Sequence, residues 1–266
     1  MKIVLSLALL LLAAAARAEE ATTSAVKIKP KTSSSSASHA TRSARDGGFQ
    51  PDTEVIDTPT TAVLDNYGYS ARSRFYSRGG LLQYLSFGVY PGVNLGASGA
   101  IDGLIGDERH VRLRAPTAQV KWRFYEGDNQ MPSLAVGFDG QGYRYNSGNR
   151  RFNQRQRGVY VVATKELGIP GLQIHPSFNI SDFDSNGIFG SIPVSLNIHD
   201  KVSILAEWDN INNWSDSRLN MGLRTYLTQN FHVDFAIRSI GAGGFYGDDA
   251  PRGPERVVQL MYSNSF

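Results

Sequence analysis

The last ten residues of the chain alternate between apolar and polar side chains and end on an aromatic residue. Counting back by twos from Phe266 gives a mostly apolar row that includes Tyr262, Leu260 and Val258. The alternate, mostly polar row is Ser265, Ser263, Met261, Gln259 and Val257. A period of two is typical of a strand between two different environments. Following an export signal, it predicts the closing strand of an outer-membrane β-barrel, with Phe266 recognised by the barrel-assembly machinery.

The first residues are typical of an export signal. Lys2 precedes an apolar run over 3–16, and Ala16-Arg17-Ala18 is a small-x-small cleavage site. The run is shorter than the roughly 20 residues that a spanning helix needs. We expect a signal peptide over 1–18, and the alternative is an uncleaved anchor. Because the chain has no cysteine, lipid attachment, disulfides and thiolate metal sites are excluded, and we expect no metal and no cofactor.

The charge balance argues against a nucleic-acid partner. The chain has 27 basic and 24 acidic residues, and without Lys2 and Arg17 the balance is 25 against 24. A nucleic-acid-binding protein needs a concentrated basic face. The expected partners are instead outer-membrane lipid and lipopolysaccharide, with polysaccharide or periplasmic proteins as further candidates.

Residues 19–66 are typical of a tail. The stretch Ser33-Ser34-Ser35-Ser36-Ala37-Ser38 has low complexity, and its neighbourhood offers few apolar residues to bury. We predict a flexible periplasmic tail. The alternative is a segment that binds a periplasmic partner or peptidoglycan, or that folds back as a plug. The run over 55–60 is more structured in character and leads towards the barrel.

Residues 67–266 contain about twelve alternating runs, which predict an all-β chain folded as a transmembrane antiparallel barrel. In the clearest run, Val120, Trp122 and Phe124 alternate with Lys121 and Arg123. The runs cover 67–77, 81–90, 93–102, 118–125, 134–139, 159–165, 172–180, 188–198, 202–208, 219–227, 231–238 and 257–266. Pro176 interrupts the seventh run and predicts a bulge or an early end there.

The connections between the runs alternate in length. Several even-numbered links are tight, such as Pro91-Gly92, whereas odd-numbered links such as 103–117 and 239–256 are long and polar. Short periplasmic turns and long external loops are typical of transmembrane barrels. The alternative is a secreted β-sandwich or soluble barrel, which would bury the apolar rows instead.

The polar rows carry charges of both signs. A lipid-facing exterior excludes them, so we predict that they face the lumen. The predicted lumen-facing set is Lys121, Arg123, Asp139, Glu207, Arg224, His232, Asp234 and Arg238. These charges either pair across the interior and brace a nearly closed barrel, or line a polar path that selects solutes.

One long link is rich in arginine and aromatic residues and contains no acid. Its arginines are Arg144, Arg150, Arg151, Arg155 and Arg157. Guanidinium groups bind carboxylate and phosphate in bidentate fashion. We predict contact with anionic glycans or with the phosphates of neighbouring lipopolysaccharide.

Several motifs resemble the YjbH-like outer-membrane barrel family, which is associated with exopolysaccharide production. They include Ile56-Asp57-Thr58-Pro59-Thr60-Thr61, Leu205-Ala206-Glu207-Trp208-Asp209-Asn210 and Leu219-Asn220-Met221-Gly222-Leu223-Arg224. Lys165-Glu166-Leu167-Gly168 and the closing run over 254–266 also fit, so that the resemblance covers about 55–266. It implies a link to surface or exported polysaccharide.

Three functions follow from these patterns. The first is a non-enzymatic outer-membrane barrel that assists polysaccharide export or surface assembly, or passes small solutes. The second is a structural or adhesive barrel that binds partners through its external loops and tail. The third, a barrel hydrolase, would use His232 near Asp234, but no serine stands in a nucleophile-elbow motif. We therefore expect no enzyme and no catalytic residues.

Overall fold

The computed structural model describes residues 50–77, 79–106, 111–146, 151–154, 158–181, 188–212, 217–241 and 253–266. Its first strands are β1 (Gly68–Tyr76), β2 (Gly80–Tyr90), β3 (Val93–Asp102), β4 (Arg112–Leu113), β5 (Thr117–Tyr125), β6 (Ser133–Asp139), β7 (Tyr143–Asn146) and β8 (Arg151–Gln154). The remaining strands are β9 (Gly158–Glu166), β10 (Leu172–Ile174), β11 (Ser177–Ser181), β12 (Ile188–Ile198), β13 (Val202–Asp209), β14 (Arg218–Tyr226), β15 (Phe231–Ile240) and β16 (Glu255–Ser265).

Twelve of these units form the wall of the barrel. The short β4 pairs only with β3, and β7 and β8 form a separate two-stranded sheet. Strands β10 and β11 both pair with β9 and β12, so they are two halves of one wall strand. The break falls at His175 and Pro176, because proline has no N–H to donate to the ladder. The predicted twelve-stranded antiparallel barrel is confirmed.

The wall closes on itself. Strands that follow one another along the wall pair antiparallel, and β1 pairs with β16 with Gly68 opposite Ser265. The pairing of β12 with β13 completes the ring. Closure satisfies the edge N–H and C=O groups that an open sheet would expose to lipid. The start of β1 and the end of β16 therefore lie at the same end of the barrel, which is also the end of tight turns such as 91–92.

The two faces of the wall reverse the arrangement of a soluble protein. Large apolar side chains face outward and are exposed, as with Trp122 at 53% and Phe235 at 55%. Charged side chains face inward and are buried, as with Arg224 and Arg238 at 1% each. A soluble sandwich or barrel would bury its apolar rows, so this arrangement excludes that alternative.

Aromatic rings gather at the end with the short turns. The ring of Tyr69 lies 4.9 Å from that of Phe266 and 6.2 Å from that of Tyr262, measured between centroids. The Phe266 N–H donates to the carbonyl of Tyr67 at 3.2 Å. Such rings are enriched where a bilayer meets water, because they combine an apolar body with a polar edge.

Residues 50–66 lie inside the barrel and are named the inner hairpin below. The sequence analysis placed them in the flexible tail. In the structure, Val55, Ile56, Val63 and Leu64 are all buried. The described part of the predicted tail therefore has fixed contacts in the lumen, because its backbone and carboxylates find partners on the wall. Across the described residues, no helix is long and apolar enough to cross a membrane.

Candidate functional site: the inner hairpin and the lumen

The inner hairpin is a short antiparallel loop. Glu54 pairs with Pro59, and the Thr60 N–H donates to the Thr53 carbonyl at 3.1 Å. The Val55 N–H donates to the Thr58 carbonyl at 2.9 Å and closes the tip, which comprises residues 55–58. At the base, the Asp65 N–H donates to Gln50 Oε1 at 2.9 Å. Proline at the turn fixes φ and suits a position where no ladder N–H is needed.

A single wall carboxylate binds the tip. Glu207 Oε1 accepts backbone N–H groups from Ile56, Asp57 and Thr58 at 2.6, 2.9 and 2.9 Å. Its other oxygen, Oε2, accepts from Asn220 Nδ2 at 3.1 Å. Successive N–H groups that point to one side form a concave anion site. Here the concave site belongs to the hairpin and the acceptor is the wall carboxyl group of Glu207, so the tip is held through its backbone.

Two arginines bind the side chain at the tip. Asp57 Oδ1 lies 2.6 Å from Arg74 Nη1, and Oδ2 lies 2.5 Å from Arg238 Nε. Arg238 also contacts Glu255 at 3.0 Å. Burial alone would raise the pKa of the Asp57 carboxyl, but Arg238 and Arg74 outweigh it and hold that pKa below its ordinary value of 3.8. The Asp57 carboxylate is therefore ionised at neutral pH.

Two further acids lie on residues 50–54, named the ascending arm, and they also contact arginines. Glu54 pairs with Arg72 and lies 3.4 Å from Arg74 Nη2. Asp52 lies 2.9 Å from Arg224 Nη1 and accepts a hydrogen bond from the Tyr226 hydroxyl. The hairpin thus brings three carboxylates to four wall arginines.

Near its base the hairpin is held by neutral hydrogen bonds. The hydroxyl oxygens of Thr61 and Ser133 lie 2.6 Å apart, and the Thr61 N–H donates to Thr164 Oγ1 at 3.1 Å. The Leu64 N–H donates to Asn94 Oδ1 at 3.0 Å. These wall residues lie at the end with the tight turns, so the hairpin enters the lumen from the periplasmic end.

The wall is shaped to admit the hairpin backbone. A methyl group on Gly88 would lie 1.9 Å from the carbonyl oxygen of Asp65, well inside any permitted contact. Gly88 therefore allows residues 59–66, named the descending arm, to lie directly against β2. At the tip, Val55 and Ile56 pack with Leu205, Ala236 and Val257. Charge, shape and apolar packing all favour the same position.

Two small cavities lie between the hairpin and the wall among the described residues. One, of about 90 Å³, is lined by residues of β1, β2, β3, β5, β6, β9 and β16 together with Glu54 and Asp57. The other, of about 100 Å³, is lined by residues of β9, β10, β12, β13 and β14 together with Thr60 and Thr61. Cavities of this size admit small clusters of water. The hairpin backbone and side chains therefore fill the space between these cavities.

One carboxylate cluster has the composition of a cation site. Ligand atoms of Asp57, Glu207 and Asp209 lie within 4.8 Å of one another. The oxygens of Asp57 and Glu207 are bound by guanidinium and backbone N–H groups, and Asp209 accepts from Asn220 at 2.9 Å. These donors already occupy oxygens of all three carboxyl groups, and the contacts of Asp57 and Glu207 bind the hairpin to the wall.

The predicted lumen residues divide into three groups in the structure. Four of them, Lys121, Glu207, Arg224 and Arg238, contact the hairpin. Asp234 accepts two bonds from Arg224, and His232 lies 3.7 Å from Asp234 and edge-on to Tyr226. Asp139 accepts from Gln119 at 3.1 Å, and Arg123 pairs with Glu126 at 3.1 Å in the turn region.

The structure does not test the predicted glycan loop. Arg150, Arg155 and Arg157 lie outside the described residues. Arg144 and Arg151 lie on β7 and β8, where the structure describes the backbone alone.

Several residues of the site were missed by sequence reasoning. Arg72 and Arg74 on β1 belong to a polar row that the alternation alone shows. His175 is buried between the Thr164 and Ser195 hydroxyls, at 2.9 Å from each. Its place beside the strand-breaking Pro176 was the available signal, because a bulge redirects the side chains next to it.

Comparison with known proteins gives likenesses to solved porin structures. No protein-family model matches the sequence, and no curated protein matches it. A KdgM porin is 13% identical, covers 75% of this chain and 99% of its own, and superposes with a TM-score of 0.49. A NanC porin is 11% identical, covers 74% of this chain and 99% of its own, and has a TM-score of 0.43. Acinetobacter baumannii Omp33 is 9% identical, covers 75% and 97%, and has a TM-score of 0.36.

Because each of these TM-scores lies below 0.5, the assignment of the fold depends on this chain's own strand pairing. The twelve-stranded closed wall has an apolar exterior and a charged interior. Its spanning strands are mostly 9–11 residues long, which matches the length that a tilted strand needs to cross a bilayer. The protein is an outer-membrane β-barrel.

Proposed function

We propose that this outer-membrane barrel is a non-enzymatic conduit for polar solutes that its own inner hairpin closes at rest. The observation that carries the proposal is the way in which the hairpin is held. Beside the small apolar cluster of Val55 and Ile56, its contacts are hydrogen bonds and ion pairs to a polar wall, such as the three bonds to Glu207. Contacts of this kind exchange with water, so the hairpin can leave without unfolding the wall.

The solute is proposed to be a polar chain or a small polar molecule that passes passively. Resemblance to YjbH-like barrels adds polysaccharide as one such cargo, in export or in surface assembly. The inward-facing amides, hydroxyls and charges support this class, since they can replace water around a hydroxylated solute. Phe266 is proposed to be recognised by the barrel-assembly machinery, and the outer face and loops to contact lipid and lipopolysaccharide.

A reversible lock on the hairpin tests the proposal. Because the chain has no cysteine, Thr61→Cys with Ser133→Cys gives one defined pair where hydroxyl oxygens now lie 2.6 Å apart. In a Glu207→Ala background, which frees the tip, planar bilayers should carry ionic current when the pair is reduced and none when it is oxidised. The single Thr61→Cys variant is the control, and its current should be the same with and without the oxidant. Equal current in both redox states of the pair would contradict the proposal.

A structural or adhesive barrel is the second candidate, and the occupied lumen favours it. A barrel that never opens would use its external loops, with the arginine-rich link over 144–157 as the proposed contact for anionic glycans. Replacing that link by a Gly/Ser loop should then abolish glycan binding while any current stays the same. A hydrolase is the least supported candidate, because the ring of His232 packs edge-on to Tyr226 with a centroid distance of 5.5 Å. It requires that His232→Ala remove all measurable hydrolysis.

A further inference from the structure

The wall arginines that contact the hairpin differ in how much of their charge the wall itself balances. Arg224 contacts the wall acid Asp234 at 2.9 Å, and Arg238 contacts the wall acid Glu255 at 3.0 Å. Each then takes a second carboxylate from the hairpin. The wall therefore balances these two cations in part, and the hairpin acids complete them.

On β1 and β5 the hairpin supplies more of the partners of the buried cations. The acid that Arg72 contacts among the described residues is Glu54 of the hairpin, and its guanidinium otherwise lies 3.7 Å above the ring of Tyr84. Arg72 is buried, and its Nε has no hydrogen-bond partner in the described chain. Lys121 is buried too, and its Nζ donates to the hairpin carbonyls of Thr53 and Ala62 at 2.7 and 3.1 Å.

A wall arranged in this way is a binding surface for negative charge. Buried cations cost free energy unless an anion or strong acceptor accompanies them. If the hairpin leaves, Arg72, Arg74 and Lys121 lose carboxylate or carbonyl partners together. Water restores part of that loss, and a ligand with several carboxylates would restore more, because guanidinium groups bind carboxylates in fixed bidentate geometry.

The hairpin also indicates the shape of such a ligand. Asp52 and Glu54 are two residues apart on an extended arm, which places their attachment points about 7 Å apart, and Asp57 follows at the tip. The matching cations lie on β1, β14 and β15. Glu207 and Asp209 on β13 border this surface and would repel an anion, so the ligand would follow the arginine side of the lumen.

We propose that the carboxylates of the inner hairpin occupy a binding track for a linear polycarboxylate, so that the hairpin is an internal competitor of that ligand. The inference rests on the proposed function in one respect, which is that the conduit gives the ligand its route into the lumen. The hairpin closes the lumen by imitating what the lumen binds. A ligand that displaces the hairpin then opens its own path.

The test uses hexaglutamate as the probe and hexaglutamine as its uncharged match. In the full-length chain, the triple change Asp52→Asn, Glu54→Gln and Asp57→Asn removes the competing charges. Calorimetry in detergent should then show hexaglutamate binding at least about tenfold tighter than in the unaltered chain, and no binding of hexaglutamine. Adding Arg74→Gln should remove the gain, whereas Arg256→Gln, at an exposed position on β16, should leave it unchanged. Equal hexaglutamate affinity with and without the triple change would overturn the inference.

A second measurement keeps all native charges and guards against misfolding of the triple variant. In the Thr61→Cys chain, hexaglutamate should accelerate modification of the thiol by a soluble maleimide at least about fivefold, since displacing the hairpin exposes residue 61. Hexaglutamine should have no effect. An unchanged rate with hexaglutamate would overturn the inference, even if the redox lock controls current. Hexaglutamate binding without any current would instead overturn the conduit and leave the track intact.

Discussion

The two ends of the inner hairpin are held by different physics. The tip, residues 55–58, is bound by carboxyl and guanidinium groups, with Glu207 on its backbone and Arg74 and Arg238 on Asp57. The base is bound by neutral groups, with Thr61 on Ser133 and Leu64 on Asn94. Hydrogen bonds to ionised groups are roughly twice as strong as neutral ones, but breaking one leaves a buried charge. The tip is therefore the end that competing charge or pH can release, and the base is the anchoring end.

The largest loss of docking free energy is expected from a change at Glu207, which binds the tip. Glu207→Ala leaves three tip N–H groups without their acceptor, and the loss of docking free energy should be about 3 kcal/mol. Protection of a thiol at Thr61→Cys should then fall about a hundredfold at most, because the base still holds its own contacts. Glu207→Gln, which keeps one oxygen acceptor, should cost less than half as much. A loss as large in Glu207→Gln as in Glu207→Ala would show that charge rather than hydrogen bonding dominates.

A change at Gly88 tests how far steric fit, without any charge, holds the anchoring end of the hairpin. Gly88→Ala adds a methyl group 1.9 Å from the Asp65 carbonyl oxygen, and the descending arm must move away. We expect a loss of docking of about 1–3 kcal/mol, the usual cost of overpacking, with no dependence on salt. Gly99→Ala on the neighbouring strand is the matched control, because nothing lies within 4 Å of its added methyl group. Equal thiol protection in the two variants would refute the close approach.

Acid should loosen the tip and spare the base. The pKa of Asp57 lies below 3.8 in the folded chain because Arg238 and Arg74 outweigh the effect of burial. A lowered folded-state pKa gives stabilisation that is complete above the unfolded value and lost as the pH falls through the folded one. The charged groups facing Asp57 are Arg74, Arg218, Arg238, Glu207 and Asp209.

The measurement is hydrogen exchange of the tip amides against pH. The share of protection that Asp57 contributes, taken as the difference from Asp57→Asn, should stay level from pH 7 to pH 5 and decline only below pH 3.8. Asp57→Asn should lower the plateau and remove its share of the acid decline. A decline that begins near neutral pH, and persists in Asp57→Asn, would mean that another group controls the tip.

The smallest effect is expected from one neutral bond at the base. Thr61→Val keeps the shape of the side chain and removes its hydroxyl contact with Ser133. Docking should weaken by about 1 kcal/mol, seen as a modest rise in proteolysis of the hairpin. Thr53→Val is a comparison on the other arm, where the backbone carbonyl rather than the side chain bonds to Thr60 and Lys121. A larger loss from Thr53→Val would place the anchor on the ascending arm.

The wall could be predicted from the sequence, whereas the hairpin could be predicted only as a plug, one alternative to a flexible tail. In a strand such as β5, Val120, Trp122 and Phe124 face lipid and alternate with Lys121 and Arg123. The side-chain pattern of each strand therefore predicts its two faces without reference to distant residues. The contact of Glu207 with Ile56 spans 151 residues, and no local pattern records it. Length also mattered, since residues 50–66 are too short to show a period and bury only a few apolar side chains.

Some traces of the hairpin were present in the sequence. The run Val55-Ile56-Asp57-Thr58-Pro59-Thr60 differs in composition from the serine-rich stretch before it, and its apolar pair and proline are typical of a packed turn. Arg72 and Arg74 lie on the inward row of β1, where a charge needs a partner. Pairing these arginines with the acids that precede the first strand would have favoured the plug over the flexible tail.

The central claim is that residues 50–66 lie inside the folded barrel. The most direct test oxidises the Thr61→Cys, Ser133→Cys chain in intact outer membranes and measures cross-linked peptides by mass spectrometry. We predict nearly complete linkage between positions 61 and 133, in a protein whose gel mobility still changes on heating as a folded barrel's does. Free thiols at both positions in such a folded barrel, open to a soluble maleimide after oxidation, would contradict the account.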